Sequence, residues 1–145
     1  MDWDTSDLDR YIKTLEAAPA KTEALTKVVV KKIGFDTVAG AQGLVPVDTG
    51  NLKNSIGQDF DDDGMGFEAG PTANYGADVE FGTVPHEIRP RDAKALHWQQ
   101  DGQDMFRRSV WHPGTAPQPY MIPAFEKAVK PIDQVMGQVG EKALE

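Results

Sequence analysis

Leu8, Tyr11, Ile12 and Leu15 stand at i, i+3, i+4 and i+7, which predicts an amphipathic helix over residues 4–18. Ser6 or Asp4 is placed to cap its start. Pro19 is expected to end or kink it, because proline lacks the N–H that the preceding turn needs. A second apolar arc, made by Ala24, Leu25, Val28, Val29, Ile33, Phe35 and Ala39, predicts another helical segment over residues 21–40. Gly34 weakens that segment by about 1 kcal/mol and marks a soft point in it. Residues 1–44 therefore read as a helical arm, either one helix or a helix pair.

Beyond residue 44 the period changes. Val45-Pro46-Val47-Asp48-Thr49-Gly50 reads as a turn: Pro46 fixes φ, the Asp48 carboxylate is placed to accept a backbone N–H two residues on, and Gly50 allows positive φ. Leu52, Asn54, Ile56, Gln58 and Phe60 then follow period two, as in a half-buried strand. Asp61-Asp62-Asp63-Gly64 reverses the chain, and residues 65–70 return, which predicts a β-hairpin with an acidic tip. Residues 74–81 read as a short helix, with Tyr75 and Val79 four apart and Gly82 at its end. Pro85 and Pro90 keep the next stretch extended. Residues 94–99 alternate, Asp101-Gly102 turns, and residues 105–111 form the next strand candidate.

Residues 112–120 hold three prolines and cannot be a central strand. Ile122, Phe125, Val129, Ile132, Met136 and Val139 then recur at steps of three and four, as on one helix face. Pro131 either kinks that helix or sits in the first turn of a restarted one. Helices at both ends with strands between them predict an α+β fold. It has an N-terminal helix or helix pair, a small antiparallel sheet with an acidic β-hairpin, and a C-terminal helix. The chain reads as one domain over residues 1–145: a helical arm (1–44), a sheet region (45–111), and a Pro-rich loop with the C-terminal helix (112–145).

Composition narrows the function classes. A chain of 145 residues, 39% hydrophobic and 26% charged, is long enough to bury a core. It has no apolar run of the ~18 residues a membrane span needs, so no membrane partner is expected. Its acidic start lacks the basic patch of a signal peptide, which predicts an unexported protein. Cysteine is absent, which removes thiolate metal sites and disulfides. The net charge is −8, and the basic residues are scattered or paired, as at Lys31-Lys32, Arg89 with Arg91, and Arg107-Arg108. Gripping duplex DNA takes clustered Lys and Arg, so specific DNA binding is not expected.

Candidate chemistry is sparse. His86, His97 and His112 match no helix-borne metal pair. Asp59 to Gly64 carries the D-x-D-x-D-G opening of a calcium loop, but the twelfth position is Gly70 and Glu68 falls two residues early; the bidentate last ligand is missing. No nucleophile elbow, P-loop or dinucleotide fingerprint is present. Glu80, between Val79 and Phe81, is a lone acid in an apolar stretch. Buried, it needs donors, and the backbone N–H groups of the Asp48-Thr49-Gly50 turn are the expected ones, in a structural clamp. No catalytic residue, metal site or cofactor is therefore expected. The contrasting reading is a metal-dependent hydrolase or calcium-binding module built on the histidines or the Asp tip.

Three blocks carry a resemblance: residues 45–56 (Val45-Pro46-Val47-Asp48-Thr49-Gly50 onward), residues 74–83 (Asn74-Tyr75 to Glu80-Phe81-Gly82-Thr83), and His112-Pro113-Gly114 followed by Pro117-Gln118-Pro119-Tyr120 to Phe125. In this order they resemble the siphophage tail-component family, whose members act as neck, head–tail joining or tail-completion proteins. The resemblance covers about residues 40–130 and brings no catalytic residues. It implies a structural virion protein, assembled in the host bacterial cytoplasm, that forms a ring, usually of six copies, at the head–tail junction or top of the tail. Its implied partners are copies of itself, the adjacent head-connector and the tail-tube or tail-terminator proteins, with DNA passing through unbound. A tail terminator capping the tube is the nearest alternative. Tyr120, where the family often has Phe, and Pro131 inside the last helix are departures. The chain has more apolar stripe than one small sheet needs, so Ile132, Met136 and Val139, or the Leu8 to Leu15 helix, are expected at a subunit interface.

Overall fold

One helix dominates the computed structural model, which describes residues 5–145. Helix α1 runs over Ser6–Leu44, 39 residues, a length of roughly 58 Å at the α-helical rise. It starts at Ser6 with Thr5 as an N-cap that makes no side-chain bond; Asp4 lies outside the described residues. Pro19 does not end the helix. Its ring removes one hydrogen bond, to the Leu15 carbonyl, while Glu16, Ala17, Ala18, Ala20 and Lys21 around it are strong helix formers. Gly34 does not break it either, because this glycine is buried in a contact that a side chain would obstruct. The helix stops at Leu44 because Val45, preceding Pro46, is driven to extended φ −60°, ψ 134°.

The described chain divides into two compact units, Met1–Ala73 with Tyr120–Glu145, and Asn74–Pro119. In the first unit, Gly50 takes φ +82° and the chain enters helix α2, Asn51–Ser55. The strand expected from Leu52 thus begins four residues later. Leu52 and Ile56 are both buried, and a spacing of four satisfies a helical turn as well as strand alternation. Strand β1, Ile56–Phe60, then pairs antiparallel with β2, Phe67–Pro71, from Ile56↔Pro71 to Phe60↔Phe67. Helix α4, Met121–Val129, and helix α5, Ile132–Ala143, complete the unit. Pro131 is the N-cap of α5, so the terminal stripe restarts there as a second helix.

The buried apolar side chains all lie in this unit: Ala41, Val45, Leu52, Ile56, Tyr120, Ala124, Val139 and Ala143. Small residues set the approach of the helices. A Cβ on Gly40 would stand 3.2 Å from that of Ala124, and one on Gly34 would meet the Phe60 ring at 2.9 Å. Tilted rings then link α1, the hairpin and α4: Phe35–Phe60 at 5.6 Å, Phe60–Phe67 at 6.0 Å and Phe67–Phe125 at 6.4 Å between centroids. Such pairs contribute beyond their buried area.

The second unit is built from ribbons. It contains helix α3, Gly76–Phe81, and strands β3 (His86–Ile88), β4 (Leu96–Gln100), β5 (Gln103–Arg107) and β6 (Val110–His112). Asp101 and Gly102, both at positive φ, make the two-residue turn between β4 and β5 that suits the strand twist. The strand expected over 105–111 is interrupted: β5 pairs with β4, whereas β6 pairs with β3. The pairings are antiparallel, but they form three separate two-stranded ribbons in place of one small sheet. Pro85, Pro90, Pro113 and Pro117 flank the β3–β6 ribbon and cannot donate to a longer ladder. His112, expected in the Pro-rich loop, is the last residue of β6.

Candidate functional site

The unit built on α1 carries two open apolar grooves and one bare helix face. Leu8, Tyr11, Ile12 and Leu15 lie on one side of α1 and are 43–62% exposed. Further along the same helix, Gly34, Thr37 and Ala41 are buried, under α4, α5 and the β1–β2 hairpin. Thr37, a polar residue at 1% exposure, donates its Oγ1 proton to the Ile33 carbonyl at 2.7 Å and so leaves no unmet polar group in the contact.

The first groove, about 600 Å³, runs between α1, α4 and α5; its lining includes Val28, Ile33, Ala124, Ile132 and Val135. Charged groups on it are Lys32, Asp36 and Lys127, and Lys32 is tied to Asp36 at 2.6 Å. The second, about 730 Å³, lies between α1, β2 and α4 and is lined by Met65, Phe67, Ile122 and Phe125, with Glu126 its one charged residue. Of the three C-terminal residues expected at an interface, Ile132 and Met136 stay 37% and 36% exposed. Val139 is 6% exposed and belongs to the core.

The Asp tip is a hairpin turn. Asp61 N–H donates to the Gly66 carbonyl at 3.0 Å and Gly64 N–H to the Asp61 carbonyl at 2.8 Å. Asp63 accepts the Met65 N–H at 2.8 Å, and Lys27 and Lys31 stand beside the three aspartates. The calcium-loop opening is therefore flanked by strands, and its twelfth position, Gly70, sits on β2. In the other unit, the His86 and His112 rings stack at 5.1 Å. His97 contacts Asp104 at 3.0 Å and stacks on Phe106 at 4.7 Å. Among the described residues no three His, Cys, Asp or Glu side chains are gathered as a metal ion requires. Glu87 is held below the usual carboxylate range by hydrogen bonds from Ser109 and then Arg89. That triplet bridges β3 and the start of β6 and was not visible in sequence spacing.

The motif residues fall into two places. Pro46, Asp48 and Thr49 are exposed and Gly50 half-buried in the turn after α1. The turn's shape rests on Pro46 and the left-handed Gly50. Tyr75, Glu80, Phe81, Gly82 and Thr83 lie with His112, Pro113 and Gly114 in the second unit. There Thr83 and Thr115 exchange both backbone hydrogen bonds at 3.1 Å, and Gln118 N–H donates to the Val79 carbonyl at 2.8 Å. Gly82 and Gly114 are at φ +72° and +86°. A Cβ on Gly82 would run into Thr115 and Pro117, and one on Gly114 into Thr83 and Val84, so this chain crossing demands glycine at both positions. Pro119 lies in the segment leaving the crossing. Glu80 is 4% exposed and engaged in interactions, as a buried acid must be, whereas Phe81 beside it is 66% exposed.

No helix among the described residues is long and apolar enough to cross a membrane. A family model described as "Bacteriophage HK97-gp10, putative tail-component" matches residues 9–82. No curated protein and no solved structure matches the chain. The matched stretch holds nearly all of α1, the β1–β2 hairpin and α3, and ends at Gly82, so it takes in the first sequence block and all of the second except Thr83, and not the third. Covering just over half of the sequence, it makes this protein a member of the HK97-gp10-like family of bacteriophage tail components.

Proposed function

We propose that this tail component is a subunit of a closed ring, most simply of six copies, at the head–tail junction or the top of the tail, through which DNA passes without being held. The observation that carries the ring is the apolar surface left open at two places on one small unit, a bare helix stripe in the first turns of α1 and two adjoining grooves beside its later turns. Contiguous apolar surface of this kind marks interaction sites, and a ring needs two unlike faces on each subunit. The net charge of −8 suits a wall past which a polyanion slides, because a Lys/Arg-lined bore would hold phosphates in a salt-dependent grip. Its neighbours in this reading are the head connector above and the tail tube or its terminator below.

A map of the intact particle tests the reading: the chain should form a closed ring on the head–tail axis, and any other position overturns it. Deleting the gene separates the two posts. Loss of a neck or completion ring should leave DNA-filled heads beside finished tails of normal length, whereas loss of a terminator should give overlong tails. Free duplex DNA should not bind the purified protein at physiological salt; micromolar binding that weakens steeply with salt would contradict the passive channel.

A further inference from the structure

We propose that the bare N-terminal face of α1 docks into the α1–α4–α5 groove of a second copy of this chain, arm into groove from one subunit to the next. The proposal rests on the ring reading and names the contact that would build it.

Geometry excludes the chain's own arm as occupant. Leu8 and Lys32 lie 24 positions apart on one continuous helix, roughly 36 Å along its axis, so the stripe cannot fold back into the groove that the same helix walls. Leu8, Tyr11, Ile12 and Leu15 have the i, i+3, i+4, i+7 spacing by which an amphipathic helix anchors in an apolar groove. The groove matches that chemistry: Val28, Ile132 and Val135 contribute apolar lining, and its charged groups are Lys32, Asp36 and Lys127.

Charge selects this groove over the other. At about 100° per residue, Asp7, Asp9 and Glu16 border the apolar stripe, while Arg10 and Lys13 fall on the opposite side of the helix. Asp7 meets Arg10 at 3.4 Å, with both side chains largely in water. The acidic borders would meet Lys127, which has no ion pair among the described residues, and the Lys32–Asp36 pair. In the second groove they would meet Glu126, a like charge. Arm and groove are different surfaces of the subunit, so the contact is heterologous and propagates until it closes. Four anchor side chains make a far smaller contact than the ~800 Å² per partner of a stable pair, so isolated copies associate weakly and closure holds the ring.

The absence of native cysteine gives a clean test. Two full-length variants, Ile12→Cys in the arm and Val28→Cys in the groove, both at exposed positions and Val28 lining this groove and not the second, are mixed at millimolar concentration under mild oxidation. A mixed disulfide should form several-fold faster than in a control pairing Ile12→Cys with Met65→Cys in the second groove. Adding Lys127→Glu to the groove variant should slow it, and adding Asp9→Lys with Glu16→Lys to the arm variant should restore it. Leu15→Cys with Val135→Cys, also on this groove and not the second, repeats the test at other positions. If the rates equal the control while rings form, or if the arm prefers the second groove or a tail protein, the arm–groove contact is overturned and the ring stands. If neither concentrated protein nor the particle contains a ring, both readings fall.

Discussion

The two halves of α1 share one apolar periodicity and differ in what covers it. Over residues 22–44 the buried positions are small, Gly34, Thr37 and Ala41, and Gly34 with the half-buried Gly40 lets Phe60 and Ala124 come close to the helix axis. Over residues 6–21 the apolar positions are large, Leu8, Tyr11, Ile12 and Leu15, and they stand in water. Small residues form a surface that receives, and large ones project into something else. An amphipathic pattern thus states that a face will be covered without stating by which chain.

Substitutions that treat the halves differently can break this contrast. The largest effect is expected under the covered half. Ile56→Ala, at 4% exposure on a strand packed against α1, should cost about 2–5 kcal/mol in denaturant unfolding; a much smaller loss would mean that the hairpin does not share the core of the helix. Gly34→Leu should cost about 1–3 kcal/mol through overpacking, since its Cβ alone would meet the Phe60 ring at 2.9 Å. If it stabilised the protein, helix propensity would outweigh packing there.

Pro19→Ala should act locally. It restores a helical hydrogen bond and up to ~3 kcal/mol of helix propensity, read as slower amide exchange over residues 6–18, while the global unfolding midpoint hardly moves. A large midpoint shift would show that arm and body unfold as one unit. The smallest change in stability is expected from Leu8→Ser with Leu15→Ser, within about 0.5 kcal/mol as for ordinary surface positions, although assembly into particles should fail. Full assembly of that double variant would remove the bare half's proposed role.

The segment after Lys130 is part of the core, because Val139 and Ala143 are buried in it. The 3–4 spacing of the last segment was legible from Ile122 to Val139, but not which of its residues face inward. Ile132 and Met136 remain partly exposed and Val139 does not, since a helix stripe is wider than the contact that covers it.

What the sequence by itself determined is local. The helical period of α1, α3 and the terminal helices, the acidic hairpin, the Gly82 stop and an interruption at Pro131 follow from residues within a few positions of each other, where side-chain spacing and backbone φ act directly; that Pro131 caps a second helix came from the structure. Block order also carried the tail-component resemblance, of whose blocks the matched residues hold the first and all but Thr83 of the second. The helix formers beside Pro19 carry α1 through it locally, whereas tertiary structure alone decided that α1 runs through Gly34, that Leu52 closes a helical turn, and that β5 and β6 part to different partners. It also brought the Gly82 and Gly114 turns together at one crossing and left the first turns of α1 bare. Each of these depends on contacts between residues far apart in the chain, whose packing outweighs a propensity difference of about 1 kcal/mol, and such contacts leave no period in the sequence.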